Sequence, residues 1–228
     1  SSNENIRKCI AEYDTYLIWH KGLIGPIKEK GCPKVLYMPF AADTEIIQPP
    51  GATFTINNKE QIGLSFIGNS DEKRLRVIRE ISANLNDRID SRRAVFGLGW
   101  RDIGSFECCR GVFAEEYLSV MHRSKINLNI LRKQNENSHN MRTFEIPAAG
   151  GFMLHEYSED AAGFFEEGKE AEYFRNSKEC ADKIIYYLNN DAEREKIAKA
   201  GYNRVISSDF TYSGIGRRML KSLDSLKS

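Results

Sequence analysis

One segment of the sequence combines polar and charged side chains in a pattern that suits phosphate binding. Residues 135–145 read Asn-Glu-Asn-Ser-His-Asn-Met-Arg-Thr-Phe-Glu, so turn-forming residues lead directly into a predicted helix start. Ser138 and Asn140 are candidate caps of that helix. Its unpaired N–H groups and partial positive charge attract anions, and His139 and Arg142 add hydrogen-bond donors at the same place. The segment therefore predicts a phosphate site.

Glu145 adds a second chemistry to this segment. It follows Arg142 by three residues, so both side chains project from the same face of the helix. A carboxylate one turn inside a phosphate-binding helix is well placed to accept hydrogen bonds from the hydroxyls of a ribose. The alternative is structural, namely a capped helix with an Arg142–Glu145 ion pair on its surface. Spacing alone leaves both interpretations open.

Short apolar runs alternate with amphipathic helices along the chain, and these elements must position the polar segment. The predicted strands are 13–19, 34–38, 61–67, 94–98, 125–130, 152–154 and 170–174. The predicted helices are 21–30, 72–85, 114–122, 141–149, 177–188, 191–206 and 211–226. This alternation is typical of βαβ units, so it predicts an α/β fold, a Rossmann-like parallel sheet with helices on both faces.

In such folds ligands bind at the carboxyl ends of the strands, where helix starts point N–H groups into a crevice. The residues of functional interest are therefore expected directly after strands, at 68–74, 97–100, 109–113 and 135–145. Turn chemistry across 39–59 divides the chain into two predicted parts. The first, 1–58, is a short N-terminal βα segment with a connector, and the second, 59–228, is a Rossmann-like domain that ends in a helical tail.

Composition narrows the class of function. The 228 residues contain 33 Lys+Arg and 32 Asp+Glu, so the net charge of +1 gives no support to nucleic-acid binding. No apolar run approaches a membrane span and no apolar leader opens the sequence, which predicts a cytoplasmic protein without a transmembrane segment. The five cysteines are irregularly spaced and are expected to be free thiols. A start at Ser1 rather than Met indicates a fragment.

Several segments resemble a known family. Met141-Arg-Thr-Phe-Glu-Ile-Pro-Ala-Ala-Gly-Gly-Phe-Met-Leu154 is similar to the RxFExxAxGGxxL segment in the C-terminal domain of bacterial GT-B glycosyltransferases, in the group that includes the CgeB-like proteins. Further motifs resemble that domain in the same order, at 65–69, 96–100, 165–170, 177–188, 198–205 and 210–212. The resemblance spans roughly residues 33–222, and it implies the C-terminal half of a GT-B fold.

The resemblance implies a nucleotide-sugar donor site. Glu145 takes the place of the carboxylate that binds the donor ribose. The implied diphosphate-binding residues are Ser138, Asn140, Met141, Arg142, Thr143, Asn69, Lys73 and Arg74, with Asn69 standing where many relatives have an arginine. The implied nucleobase pocket consists of Trp100, Val112 and Phe113.

The implied reaction is transfer of a sugar from a nucleoside-diphosphate sugar to the hydroxyl of a glycan or other acceptor. The helix start and Arg142 are expected to stabilise the departing charge, so neither a metal nor a cofactor is predicted. His139 is the candidate general base, against the alternative of an exposed loop histidine, and His20 is a further candidate. Asn137 replaces one acid of the family's E-x7-E pair, so a retaining mechanism built on that pair is not expected.

A full GT-B enzyme has an N-terminal acceptor domain, and only about 40 to 60 residues precede the matched region. The sequence therefore leaves two functions open. One is a glycosyltransferase or its donor-binding domain. The other is a non-catalytic nucleotide-sugar-binding module that needs another domain or subunit for activity.

Overall fold

The structure, a computed structural model, describes residues 2–51, 61–86 and 88–224. Helix α1 (Ser2–Cys9) is followed by a two-stranded parallel sheet, β1 (Tyr16–Ile18) and β2 (Val35–Tyr37), with helix α2 (Ile24–Glu29) between the strands. This N-terminal segment has a small core of its own, made of Ile10, Ile18, Ile27, Cys32 and Val35. The predicted strands at 13–19 and 34–38 and the helix between them are confirmed.

The main sheet has six strands, all parallel, in the spatial order β5-β4-β3-β6-β7-β8. They are β3 (Ile62–Ile67), β4 (Arg93–Phe96), β5 (Glu107–Cys109), β6 (Ser124–Asn129), β7 (Met153–Glu156) and β8 (Glu172–Phe174). Counted from β3, the order is 3-2-1-4-5-6, which is that of doubly wound nucleotide-binding sheets. The order reverses between β3 and β6, so the crevice at this switch point is where such a sheet binds ligands.

Helices cover both faces of the sheet. They are α3 (Glu72–Leu85), α4 (Ala114–Arg123), α5 (Arg142–Ala148), α6 (Glu159–Ala162), α7 (Ser177–Asn189), α8 (Asp191–Ser207) and α9 (Tyr212–Asp224). Successive strand residues point to opposite faces. Leu154 accordingly packs in one core with Ile184 of α7, whereas Met153 packs in the other with Phe144 of α5. The predicted Rossmann-like α/β class is confirmed.

The sequence prediction differs from the structure at short elements. Strand β5 was not predicted, because its three residues Glu-Cys-Cys form an exposed edge without an apolar run. Helices α1 and α6 were also missed. The predicted strand 94–98 stops at Phe96, because Gly97 and Leu98 turn away into a loop. Residues 52–60, with the predicted boundary at 58/59, and the end of the predicted helix 211–226 lie outside the described residues.

Within the described ranges, no helix combines the length and the apolar character that crossing a bilayer requires.

Two glycines let the loops after β3 and β4 touch. The Gly68 amide donates to the Phe96 carbonyl at 2.8 Å. A Cβ atom on Gly97 would lie only 2.3 Å from the Gly68 carbonyl oxygen and 2.6 Å from its carbonyl carbon. Since both neighbours are backbone atoms, neither can rotate away. The absence of a side chain at Gly97 therefore sets the shape of this part of the crevice.

We expect Gly97→Ala to destabilise the fold by about 1–3 kcal/mol, because the added methyl group forces two backbone segments apart. Urea unfolding measures this change. Gly216→Ala is the matched control, because a Cβ there meets no described atom within 4 Å and the residue lies inside α9. That variant should gain about 0.5–1 kcal/mol from the better helix former. Equal effects of the two substitutions would contradict the close-approach argument.

Candidate functional site

A cleft of about 570 Å³ opens at the carboxyl ends of the central strands. Its walls come from the loops that follow β3, β4, β5 and β6, together with one residue from the N-terminal segment. The lining residues are Phe40, Ile67, Gly68, Asn69, Arg74, Phe96, Gly97, Leu98, Gly111, Val112, Phe113, Arg132, Asn135, Asn140, Met141 and Arg142. The cleft therefore lies at the topological switch point, at the carboxyl ends of the strands, where the alternation of strands and helices predicted a ligand site.

Three arginines, Arg74, Arg132 and Arg142, line this cleft. Arg74 is the most constrained of them. Its Nε and Nη2 donate to the Ile130 carbonyl at 3.1 and 2.8 Å, and its Nη1 donates to the Asn69 carbonyl at 3.1 Å. Burial lowers the pKa of Arg74 to about 10, against the opposing attraction of Asp71, and the charges of the other two arginines lower it further. Arg74 thus lies close enough to each of the other two arginines to be repelled by them.

Arg142 has a different environment. Its guanidinium carbon lies 5.4 Å from the centre of the Tyr117 ring, and its Nε is buried without a hydrogen-bond partner in the described part of the chain. A buried N–H group without an acceptor is costly. An anion in the cleft would supply that acceptor. Arg142 is therefore the cleft residue whose unmet hydrogen bond points most directly to a ligand.

Glu145 lies on α5 three residues after Arg142; it is half-buried and is not among the residues that line the cleft. Its Oε2 accepts a hydrogen bond of 2.6 Å from the Tyr117 hydroxyl. Burial raises the pKa of Tyr117, and the charge of Glu145 raises it further, so the tyrosine stays protonated as the donor. The Arg142–Glu145 surface ion pair that the spacing allowed is not formed among the described residues, because Tyr117 engages both side chains.

A buried polar network fixes the loop that leads into α5. Asn129, at the end of β6, and Asn140 exchange hydrogen bonds of 3.1 and 2.8 Å between their side-chain amides. Asn140 Oδ1 also accepts from the Thr143 amide at 3.2 Å, which confirms Asn140 as a cap of α5. The Thr143 hydroxyl in turn lies 2.9 Å from Nε2 of His155 on β7. The network ties the cleft loop to two strands of the sheet.

Several other predicted residues do lie at the cleft. Asn69 lines it, with Oδ1 accepting from the Leu98 amide at 3.0 Å. Met141, Val112 and Phe113 line it as well, and Phe113 is 80% exposed. An apolar ring with that much exposed surface at the lip of a cleft suits contact with a flat apolar group.

Besides Glu145, four predicted binding residues do not line the cleft. Lys73 is held by Glu156 at 2.7 Å and Glu136 at 3.6 Å, and it is not a lining residue. Trp100 is buried beneath the loop, where Nε1 donates to the Gly68 carbonyl at 2.8 Å and the ring packs on Phe66, so it is not a wall of the pocket. The side chains of Ser138 and Thr143 are fully buried below the cleft.

The expectation that His139 acts as general base does not fit the geometry, and neither does the alternative of an exposed loop histidine. Its side chain is fully buried, Nδ1 lies 2.6 Å from Asp160, and Nε2 accepts from the Phe40 amide at 3.0 Å. Both ring nitrogens are therefore occupied away from the cleft. His20 accepts from the Gly22 amide at 3.1 Å and is also not a lining residue.

Phe40 and Arg132 line the cleft but were missed by sequence reasoning. Arg132 follows β6 by three residues, so the rule that ligands bind after the strands was a sufficient signal for it. Phe40 belongs to the N-terminal segment, and no local pattern links it to a cleft built from residues after position 60. Across the described ranges, no group of three His, Cys, Asp or Glu side chains is arranged to hold a metal ion.

The chain is similar to known glycosyltransferases in sequence pattern and in fold. A family model described as "Glycosyl transferase-like" matches residues 73–221. Among curated proteins, no sequence relative matches the chain.

Solved structures extend the comparison. A glycosyltransferase from Rickettsia africae ESF-5 has a TM-score of 0.74 at 12% identity, over 100% of this chain and 68% of that one. Anabaena HepE in complex with UDP and glucose has a TM-score of 0.75 at 10% identity, over 98% of this chain and 67% of that one. The pneumococcal O-GlcNAc transferase GtfA in complex with UDP and GlcNAc has a TM-score of 0.67 at 10% identity, over 97% of this chain. This chain spans only 47% of GtfA.

The buried His155 predicts how stability depends on pH. Burial lowers its pKa from 6.5 to about 4 in the folded chain. Below pH 6.5 the unfolded chain binds a proton there that the folded chain does not take up until about pH 4, so the free energy of unfolding falls as the pH is lowered through this window. The loss amounts to about 3 kcal/mol when complete.

Urea unfolding at several pH values between about 7 and about 4 measures this dependence. His155→Gln is the informative variant, because a glutamine oxygen can accept from Thr143 but cannot titrate. We expect its stability to fall less steeply with decreasing pH than that of the natural chain. Parallel pH profiles for the two chains would show that His155 does not contribute the slope.

Proposed function

Because the chain belongs to the glycosyl transferase-like family, as its resemblance to GT-B C-terminal domains predicted, we propose that it transfers a sugar from a nucleoside-diphosphate sugar to an acceptor hydroxyl. The observation that carries this proposal is the convergence of Arg74, Arg132 and Arg142 on one cleft at the switch point of the sheet. Two structural neighbours, HepE and GtfA, are complexes with UDP. UDP is therefore the first nucleotide to test.

In this proposal the diphosphate lies against Arg142 and the loop at Asn140 and Met141. Charge-assisted hydrogen bonds to phosphate are stronger than neutral ones, and the unpartnered Nε of Arg142 is the donor that gains most from them. Arg74 serves mainly as a fixed charge, since its guanidinium already donates to two backbone carbonyls. As the sugar leaves, the charge that develops on the nucleoside diphosphate is stabilised by these cations. No metal is needed for that step.

The ribose and the base are assigned to two other groups of residues, the base to residues that line the cleft and the ribose to a carboxylate on α5. One carboxylate oxygen of Glu145 is bonded to Tyr117, and we assign the other to the ribose hydroxyls. The base rests against Val112 and Phe113, where it covers the exposed ring. The general base stays unassigned, since His139 is occupied by its two partners.

The second function that the sequence left open is a donor-binding module without activity of its own. The chain spans about two thirds of the Rickettsia and Anabaena proteins and about half of GtfA, so the activity of a whole protein of that kind is itself a proposal. The acceptor, a partner domain and a cytoplasmic location stay predictions. Release of UDP from UDP-glucose by this chain, with a hydroxyl acceptor present, would separate the transferase from the binding module.

We expect UDP to raise the melting temperature, because a ligand that binds only the folded state stabilises it. At about 100 times the dissociation constant the gain of about 2.7 kcal/mol corresponds to roughly 5–10 °C for a chain of this size. Thermal unfolding in the presence of EDTA measures it and also tests metal independence. Arg142→Gln should weaken UDP binding by about 10- to 100-fold, the loss of a hydrogen bond to a charged group.

Arg76→Gln is the matched control for Arg142→Gln. Arg76 lies on α3 with an exposed side chain whose one ion pair among the described residues is with Glu80 at 3.9 Å, so its loss should leave UDP affinity unchanged. The absence of a thermal shift with UDP, GDP or ADP, alone or as their sugars, would contradict both the transferase and the donor-binding module. Equal losses of affinity in the two variants would show that Arg142 does not contact the phosphates.

Glu145→Gln tests the ribose assignment separately from the phosphate assignment. A glutamine can still accept from Tyr117 but lacks the charge that strengthens bonds from the ribose hydroxyls. We expect about a tenfold loss of UDP affinity, with the affinity for inorganic pyrophosphate unchanged. Calorimetric titration measures both ligands. Parallel losses for UDP and pyrophosphate would indicate a general disturbance of the helix rather than a lost ribose contact.

A further inference from the structure

In the loop that supplies Asn135, Asn140 and Met141 to the cleft, the side chain of His139 points away from the cleft. His139 lies in a buried pocket with the rings of Phe40, Phe144 and Phe164 around it, at centroid distances of 5.6, 5.5 and 5.2 Å. Its two nitrogens make directed contacts in opposite directions, to Asp160 and to the Phe40 amide. Both nitrogens of His139 thus bind groups of the protein, so its role is not contact with a substrate.

The partners fix the tautomer of His139. A backbone N–H can only donate, so Nε2, which lies 3.0 Å from the Phe40 nitrogen, must carry a lone pair rather than a proton. Nδ1 then carries the proton and donates it to Asp160 Oδ2 at 2.6 Å. The imidazole is therefore neutral, with one nitrogen a donor and the other an acceptor. A second proton on the ring would displace the Phe40 amide.

Asp160, on the short helix α6, is the common partner of three side chains from two segments. Besides His139 it binds Lys21 Nζ at 2.7 Å and the Tyr37 hydroxyl at 2.9 Å, both from the N-terminal segment. Burial opposes ionisation of Asp160, but the hydrogen bonds from His139, Lys21 and Tyr37 hold its pKa below the usual value. The carboxylate is thus a charged centre that joins the N-terminal segment to the cleft loop.

A second contact from the same helix holds the same loop. Ser158 is the N-cap of α6, and its hydroxyl donates to the carbonyl of Ser138, the residue before His139. Two consecutive loop residues are therefore fixed by α6, one through its backbone and one through its side chain. Phe40, on the other side of the imidazole, lines the cleft itself.

We propose that His139 is a positioning residue of the donor cleft, which as a neutral Nδ1–H tautomer ties the cleft loop to Asp160 and holds Phe40 in the cleft wall. The inference rests on the proposed function, because that function is what makes the cleft a donor site. It gives His139 a role in binding instead of the proton transfer that the sequence suggested. Donor affinity then depends on the Nε2–Phe40 contact, which lies outside the cleft.

Two substitutions separate the two bonds of the ring. In His139→Asn the side-chain amide can donate to Asp160 as Nδ1 does, but nothing reaches the Phe40 amide. In His139→Gln the side-chain oxygen can accept from the Phe40 amide at the position of Nε2, but the donor to Asp160 is lost. Both remove the ring, so a role that is only space-filling should affect them alike.

The experiment measures hydrogen exchange at the Phe40 amide and calorimetric UDP affinity, well below the melting temperature of each variant. We expect the Phe40 amide to exchange about fivefold faster in His139→Asn than in His139→Gln, and UDP to bind about fivefold more weakly to it, the effect of one net hydrogen bond. His20→Ala is the matched control, since it removes another bond between a histidine and a backbone amide. It should change neither quantity.

The outcomes keep this inference apart from the proposed function. The same Phe40 exchange and the same UDP affinity in both His139 variants would overturn the positioning role. A change in Phe40 exchange without any difference in UDP affinity would also overturn it, because the tie would then have no effect on the cleft. Hydrogen exchange at the Phe40 amide is measured without nucleotide, so it tests the tie independently of the proposed function. If the natural chain binds no nucleoside diphosphate, the proposed function fails. If the Phe40 amide exchanges equally fast in the two His139 variants, the tie between His139 and Phe40 is refuted.

Discussion

The reciprocal amide pair between Asn129 and Asn140 is the interaction on which the rest of the site depends. The sheet places the end of β6 at the switch point, but a loop of a dozen residues follows before α5 begins, and a loop of that length is otherwise free to move. The amide pair connects the last residue of the strand to the cap of the helix at 2.8 and 3.1 Å. The amide pair therefore holds the cleft loop in a fixed position relative to the sheet.

The same constraint explains why so many polar groups are buried beneath the cleft. A buried polar network is stable only if its members are satisfied, and Asn140, Thr143 and His155 satisfy one another in sequence along the floor. The side chains of Thr143 and His155 therefore cannot also face a ligand. A sequence motif does not show whether a polar side chain lines the cleft or lies beneath it. Ser138 and Thr143 were therefore predicted at the surface of the site, and they lie below it.

The sequence predicted the features that depend on interactions between neighbouring residues. It missed the features that depend on contacts between residues distant in the chain. Helix α3 was predicted from its apolar stripe and the start at Asp71, whose side chain accepts from the Arg74 amide. The cleft segment at 135–145 was predicted because its signals are local. The roles of Lys73 and Trp100 were not predicted. Lys73 pairs with Glu156 and Trp100 packs on Phe66, and both contacts involve residues distant in sequence. Residue type alone could not separate a cleft lysine from a paired one.

The N-terminal segment is part of the site rather than an appendage to it. Its backbone pairs with the other end of the chain, since the Ala42 amide donates to the Phe210 carbonyl and the Tyr212 amide to the Ala42 carbonyl. Its side chains bind Asp160, and Phe40 lines the cleft. A displacement of this segment must therefore disturb either the partners of the buried Asp160 carboxylate or the cleft wall. A buried carboxylate that loses partners is left with an uncompensated charge, which costs more than the loss of a surface contact, so the fold holds the segment and the cleft loop together as one unit.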